Sequence, residues 1–350
     1  MDIAITLTTP GGIEQLKVTP QEPQAPGPNE IRIRHDAICV NFLDIYHRKG
    51  LYPMPAYPAV IGAEGAGVVE AVGAAVTTVS PGDRVVYMGA PVGAYASTRL
   101  LPAHRAIRLP DDVGSKQAAA MMLKGMTAYM LLHRIHTVTP ESTILVHAAA
   151  GGLGTLLVRW AKHIGATVIG TVSSAEKAAL ATANGADHLV IGRDADLVAN
   201  VMALTSGRGV DVGYDGIGGA MLAKTIQCIR PFGMAASFGQ AAGPIPPVAI
   251  EALRPNKSLS HPSIMAASTD PAFYLEAATA AIGAMRRGIL TLPTREFALS
   301  DAAAAHTELE GRTEQRQPAA DPLREREHER EKIPFRMQFI CDMAGRIIQM

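Results

Sequence analysis

From residue 144 onward five short apolar runs, at 144–148, 167–171, 188–191, 210–214 and 234–238, alternate with helix-period segments at 153–163, 175–183, 197–205 and 220–229. Alternation with such short connections points to a parallel sheet wound on both faces by helices. The first junction carries the most information. His147-Ala148-Ala149-Ala150-Gly151-Gly152-Leu153-Gly154 follows the run Thr143-Ile144-Leu145-Val146 and opens a helix. Strand, glycine turn and helix in that order let the backbone approach a pyrophosphate, whose charge sits against the helix's free N–H groups and positive dipole end. Side chains larger than hydrogen would block the approach. The spacing is A-x-x-G-G-x-G rather than G-x-G-x-x-G, so the same residues also suit a plain strand-to-helix turn. Gly165 stands where that helix should end in a left-handed residue.

A chain of 350 residues, 48% of them hydrophobic, has room for two cores. Its formal charge is zero, which argues against an electrostatic footprint for nucleic acid or anionic lipid. Cys39, Cys228 and Cys341 are odd in number and far apart; they offer no disulfide framework and fit a reduced, cytoplasmic setting. No apolar run reaches the roughly 18 residues of a membrane span, and the start Met1-Asp2-Ile3-Ala4 has no signal-peptide pattern.

Before residue 122 the texture differs. Glu30-Ile31-Arg32-Ile33-Arg34-His35 alternates with period two, and Val68-Val69-Glu70-Ala71-Val72 and Arg84-Val85-Val86-Tyr87 flank the turn Pro81-Gly82-Asp83. This is the pattern of a small, mostly β domain. An alanine- and methionine-rich helical segment follows, read as two pieces at 118–122 and 127–133. After a proline-rich stretch at 244–255 the alternation lapses, and a helix at 271–285, a strand near 295–299 and a helix at 301–310 are expected to return to the first domain. Arg324-Glu325-Arg326-Glu327-His328-Glu329-Arg330-Glu331-Lys332 places like charges at i,i+4 and reads as a solvated stretch, with a further strand expected at 337–340.

Several blocks then carry a specific resemblance. Asn41-Phe42-Leu43-Asp44-Ile45-Tyr46, Gly50-Leu51-Tyr52-Pro53, Gly62-Ala63-Glu64-Gly65-Ala66-Gly67, Gly82-Asp83-Arg84-Val85, Leu123-Lys124-Gly125-Met126-Thr127-Ala128-Tyr129, the glycine cluster, Gly170-Thr171-Val172 and Ser237-Phe238-Gly239 occur in that order. Over residues 3–312 the chain resembles the zinc-independent, ζ-crystallin-like quinone oxidoreductases of the medium-chain dehydrogenase/reductase superfamily. The resemblance implies an α/β protein: a GroES-like β-rich catalytic domain plus a Rossmann doubly wound parallel-sheet domain. The expected boundaries are 1–122 for the first part of the catalytic domain, 123–262 for the Rossmann domain, 263–312 for the return, and 313–350 for an atypical charged tail. Relatives of this kind generally finish soon after the position of Arg312, so no cofactor contact is assigned to the tail.

Zinc-dependent relatives carry Gly-His-Glu where this chain has Gly62-Ala63-Glu64, and alanine ligates no metal. No lobe of closely spaced cysteines is present either, so no metal is expected. The cofactor implied is NADPH. Where an acidic residue would hydrogen-bond the ribose 2′-hydroxyl of NAD, the chain offers Ser173, Ser174 and Lys177, and the resemblance puts this lysine on the 2′-phosphate. The alternative for Ser173 is a capping box with Glu176. Ala149, Gly151, Gly152, Leu153 and Gly154 are expected along the pyrophosphate, Arg193 near the adenosine end, Lys124 and Thr127 near the nicotinamide, and Phe238 and Gly239 at a strand end of the Rossmann crevice. Gly192 departs from the tyrosine usual in the family, which weakens the adenine site. Tyr129 reads either as a site residue or as core.

By resemblance Asn41, Tyr46 and Tyr52 line a quinone pocket with Asp44 close by, as donors for the oxyanion that forms when a quinone takes up hydride. Their alternative roles are a turn cap for Asn41 and packing for the tyrosines. The function implied is NADPH:quinone oxidoreduction by a homodimer acting on a small-molecule quinone. An NADPH-dependent enone or enoyl-thioester reductase would need the same cofactor and the same stabilised oxyanion. A non-catalytic nucleotide-binding protein, crystallin-like or RNA-binding, is the reading from another class, and the neutral charge speaks against RNA.

Overall fold

The structure is a computed structural model that describes residues 1–314 and 338–342. The rest of the charged tail lies outside the described residues. The chain divides into two compact units, one built from Met1–Ala120 with the segment that begins at Thr294, the other from Met121–Pro293.

The first unit contains β1 (Ile3–Leu7), β2 (Leu16–Pro20), β3 (Glu30–Cys39), α1 (Phe42–Lys49), β4 (Ala59–Val60), β5 (Glu64–Val72), β6 (Arg84–Met88), β7 (Thr98–Pro102) and β8 (Ile107–Arg108). The period-two segment at 30–35 is the start of β3. It is flanked on one side by antiparallel β5, with Ile31 opposite Val72 and Ile38 opposite Gly65, and on the other by β7. Alternate residues of β3 face inward because strand side chains point to opposite faces: Ile31 and Ile33 are buried while Arg32 and Arg34 reach Glu70 at the surface. Helix α2 (Ser115–Tyr129) leads into the second unit as one continuous helix, followed by a π-helical turn at Met130–Ile135, rather than as two pieces. Its good helix formers on either side of Gly125 outweigh the cost of that glycine.

The second unit is the expected parallel sheet. Its strands are β9 (Thr143–Val146), β10 (Thr167–Val172), β11 (His188–Ile191), β12 (Val210–Asp215), β13 (Ile229–Ser237) and β14 (Ser258–Ser260), in the spatial order β11-β10-β9-β12-β13-β14. Between them run α3 (Gly152–Ile164), α4 (Ala175–Ala183), α5 (Leu197–Leu204) and α6 (Met221–Cys228), followed by α7 (Ile264–Ala267) and α8 (Pro271–Arg286). Strand order reverses between β9 and β12, and an open parallel sheet binds ligands at such a switch point, beyond the strand carboxyl ends. Leu145, Ile169, Val201, Val210, Leu222, Ile226 and Ala235 form its core.

Residues 263–293 were expected to return to the first domain, whereas the structure groups them with the second. Helix α8 buries Tyr274, Ala277, Ala278, Ala281 and Met285, and it lies so close to α2 that a Cβ at Gly125 would come within 3.1 Å of Ala281 Cβ. Its small-residue face therefore closes against the second unit. The return begins with β15 (Thr294–Ala298) and α9 (Ala302–Glu314); Leu299 between them and Ala302, Ala305 and Leu309 of α9 join Ile5, Ile31, Ile38 and Tyr95 in the first core. The late strand, β16 (Gln338–Asp342), pairs in parallel with the end of β3, Ile340 opposite Cys39.

Candidate active site

In the second unit the glycine turn joins β9 to α3 at the switch point. Gly151 caps α3 in extended conformation, and no side chain satisfies the helix's first N–H groups. Free N–H groups at the positive dipole end are what a pyrophosphate requires. Gly154 is obligatory, since a Cβ there would stand 2.1 Å from the Ala148 carbonyl oxygen. Ala149 is buried, and its N–H donates to the Thr171 carbonyl at 3.0 Å, which ties the turn to the end of β10. These observations fit a dinucleotide cradle over Ala149, Gly151, Gly152, Leu153 and Gly154.

The end of β10 holds the residues expected to select the cofactor. Ser174, not Ser173, caps α4, its hydroxyl accepting the Lys177 N–H at 3.3 Å. The alternative capping box of Ser173 with Glu176 is not the one the helix uses: Ser174 is the cap, and the third residue beyond it is Lys177, whose side chain has no acceptor to complete a box. Lys177 makes no ion pair among the described residues, and Ser173 makes no hydrogen bond there. Gly192, in the left-handed region at φ +103°, donates to the Val172 carbonyl at 2.9 Å and so sets exposed Arg193 beside this strand end. Two cations and a free hydroxyl with no carboxylate partner suit a 2′-phosphate.

Lys124 and Thr127 are buried one turn apart on α2, and the Thr127 hydroxyl donates to the Leu123 carbonyl at 2.8 Å. Tyr129 donates to Glu276, which also pairs with Arg134, so its hydroxyl serves the surface of the second unit. Phe238 packs its ring against Gly216, and a Cβ at Gly239 would meet the Gly216 carbonyl oxygen at 2.7 Å. Both sit just past the end of β13.

Sequence reasoning missed a buried polar chain under the turn. His147 Nδ1 lies 3.1 Å from Thr171 Oγ1, and its Nε2 lies 2.8 Å from Thr225 Oγ1. The Thr225 hydroxyl reaches Asp215 Oδ2 at 3.2 Å, and Asp215 Oδ1 accepts the N–H groups of Ile217 and Gly218 at 2.8 and 3.0 Å. Burial lowers the His147 pKa against the pull of Asp215, so the ring is neutral at pH 7.

In the first unit Asn41 opens α1. Its N–H donates to Asp44 Oδ2 at 2.8 Å, and its amide Nδ2 donates to Glu64 Oε1 at 2.8 Å. Glu64 follows Ala63, which stands at the position of the zinc relatives' histidine; here its carboxylate is taken by an amide. Among the described residues no group of three or more His, Cys, Asp or Glu is placed to hold a metal ion. Tyr46 and Tyr52 meet edge to face at 5.4 Å, brought together by the left-handed Gly50 that ends α1, and Tyr52 is 38% exposed.

A second buried chain holds Asp44. Arg48 approaches His306 Nδ1 at 3.5 Å, His306 Nε2 lies 2.9 Å from Tyr95 Oη, and the Tyr95 hydroxyl donates to Asp44 Oδ2 at 3.2 Å. Burial, reinforced by the Arg48 charge, pushes the His306 pKa down to about 3. Arg48 also pairs with Glu310 at 2.7 Å, which anchors α1 on α9. Neither Tyr95 nor His306 carries a local signal: Tyr95 lies 51 residues from Asp44 and His306 lies 211 from Tyr95.

A β-rich unit followed in the chain by a nucleotide-type parallel sheet defines a two-unit dehydrogenase or reductase, and the comparisons agree. Residues 27–111 match the alcohol dehydrogenase GroES-like domain, and residues 152–270 match the zinc-binding dehydrogenase family. The chain is 41% identical over 305 residues to a quinone oxidoreductase of Pseudomonas aeruginosa, covering 86% of this chain and 94% of that protein. It is 42% identical over 298 residues to a 2-haloacrylate reductase of a Burkholderia species, covering 82% and 89%. The crystal structure of Escherichia coli quinone oxidoreductase complexed with NADPH superposes with a TM-score of 0.86 at 33% identity, covering 97% of this chain and 99% of that one. The chain belongs to the quinone oxidoreductases of the medium-chain dehydrogenase/reductase superfamily.

Proposed function

We propose that this protein transfers a hydride from NADPH to a quinone, giving the hydroquinone once a proton is taken up. The observation that carries the reading is the uncapped start of α3 at the switch point, with a hydroxyl and a lysine that form no ion pair among the described residues at the neighbouring strand end. When bound, NADPH supplies the hydride, and the side chains supply position and polarity. Gly151, Gly152 and Leu153 present backbone N–H groups to the pyrophosphate, and Ser173, Lys177 and Arg193 hold the 2′-phosphate. Lys124, Thr127, Phe238 and Gly239 line the nicotinamide end. Tyr46 and Tyr52 donate to the quinone oxygens as negative charge develops on them. Asn41 and Asp44 hold the start of α1, which carries Tyr46 and leads through Gly50 to Tyr52.

Steady-state oxidation of NADPH and NADH against a panel of 1,4-quinones and α,β-unsaturated ketones tests this. Quinone turnover with preference for NADPH is expected, and oxidation of NADPH by enones alone would overturn it. The second reading, reduction of a conjugated C=C, is favoured by the 42% identity to a 2-haloacrylate reductase. Binding of NADPH with no hydride transfer to any acceptor would favour a non-catalytic role.

We infer a homodimer as well. β14 is an edge strand, and Leu259 on it is exposed at 37%, with Phe232 and Ile250 exposed in the same unit. An edge with no partner strand among the described residues, and with apolar neighbours, invites pairing. A cytoplasmic setting is supported by buried free thiols at Cys39 and Cys228. No described helix is long and apolar enough to cross a membrane.

A further inference from the structure

Ala148 holds φ at +50°, in the left-handed region, between the end of β9 and the glycine turn. A residue with a Cβ is strained there, and such strain persists only where the surroundings over-determine it. Two contacts hold it: the Ala148 N–H donates to Thr171 Oγ1 at 3.3 Å, and the Ala148 carbonyl accepts the Gly151 N–H at 2.7 Å.

The Ala148 N–H can only donate in the first contact, and where Thr171 sends its own proton is set by the groups behind it. The Thr225 hydroxyl has one proton, which its neighbours Asp215 Oδ2 at 3.2 Å and the Met221 carbonyl at 3.0 Å can only accept. Thr225 Oγ1 must then receive the His147 Nε2–H at 2.8 Å, which leaves His147 Nδ1 bare to accept the Thr171 O–H at 3.1 Å. Thr171 Oγ1 is therefore committed as the acceptor for Ala148. Each hydroxyl gives its proton toward the carboxylate side or the ring, and the chain has one sense throughout.

We propose that His147, Thr171 and Thr225 act as positioning residues that hold Ala148 in its strained conformation and so pre-organise the glycine turn for the NADPH pyrophosphate. The inference rests on the turn being the cofactor cradle. None of the three need touch the cofactor. Holding the turn in its bound geometry beforehand removes an ordering cost from binding, and that advantage is lost when the chain is cut.

The test is a titration of the full-length protein with NADPH, following nucleotide fluorescence. Thr225→Val and His147→Asn should each raise the NADPH Kd on the order of tenfold, the size of one lost hydrogen-bond network link. The quinone KM at saturating NADPH should move far less. The decisive comparison is made in an Ala148→Gly background, where the left-handed conformation is no longer strained. There, Thr225→Val should alter Kd by no more than about twofold, because coupled residues lose their separate effects once the shared strain is gone. If Thr225→Val costs as much in that background as in the parent protein, the network only stabilises the fold and the inference fails. Gly151→Val separates the two levels. If NADPH still binds that variant, the turn is not the cradle; if Gly151→Val abolishes binding while Thr225→Val and His147→Asn bind as the parent does, the cradle stands and the positioning role falls.

Discussion

Each unit braces the turn of its candidate site with a buried neutral histidine, but the two recruit it from different distances. In the second unit His147, Thr171 and Asp215 lie at or next to the carboxyl ends of adjacent strands, which the sheet topology gathers together, and Thr225 joins them from α6, the helix that follows β12. In the first unit the histidine comes from α9, 211 residues beyond its tyrosine partner, and reaches Asp44 only through Tyr95. A parallel sheet concentrates its polar groups at one edge by construction. A β-rich unit with antiparallel strands has no such edge, so its loop is braced by a helix imported from the far end of the chain. The proposed cofactor site is built within one sheet, and the proposed substrate site is built over long range.

The strongest challenge to that division is Gly154→Val. Its branched side chain would overlap the Ala148 carbonyl, so NADPH binding should be lost, with about 3 kcal/mol or more of stability gone from the second unit. Titration with NADPH and a melt followed by Trp160, the chain's one tryptophan and a resident of α3, would check it. Normal binding would mean that the local turn does not set the cofactor site.

Lys177→Ala probes the second unit more finely. Losing a charge-assisted contact should weaken NADPH by about tenfold to a hundredfold while NADH changes little. Parallel Kd measurements decide it, and equal weakening would remove Lys177 from the 2′-phosphate. Tyr52→Phe addresses the first unit: quinone kcat/KM should fall about tenfold with the NADPH Kd unmoved. A change in NADPH affinity alone would contradict the assignment of substrate contacts to this loop.

A milder effect is expected on acid stability. His306 and His35 are both held near a pKa of about 3 by burial, below the free value of 6.5. The unfolded chain takes up these protons first, so the stability from keeping the rings neutral is complete above pH 6.5 and declines as pH falls toward 3. Each ring contributes a slope of about 1.4 kcal/mol per pH unit. His306→Phe should remove one such slope from denaturant melts read by the near-ultraviolet tyrosine signal, while the Trp160 signal keeps its pH dependence. Identical slopes in parent and variant would mean that His306 is protonated in the folded protein.

How much of this was legible in the sequence follows from the same contrast. Alternating runs and a glycine turn are local patterns, and the structure has the strand at Thr143–Val146, the helix from Gly152 and the parallel sheet where periodicity put them. Ser174 rather than Ser173 caps α4, a choice the sequence pattern does not make because both are hydroxyls just past a strand. Helix α8 was assigned to the wrong unit since its alanine-rich pattern shows that a face is buried but not against what. His147 stood in plain view within the glycine cluster, yet its role depends on Thr225, which only the sheet brings near. His306 had no signal at all, because a neutral buried histidine is defined by partners that sequence spacing does not reveal.

The strand Gln338–Asp342 lies between β15 and β3 and pairs with the three residues of β3 that precede Val40 and Asn41. During synthesis the stretch Met121–Pro293, which carries every strand of the parallel sheet, is made before α9 and this strand, which the first unit still lacks. The nucleotide half can therefore fold on its own schedule, whereas the loop bearing Asn41 waits for translation to pass residue 340 before its sheet is closed.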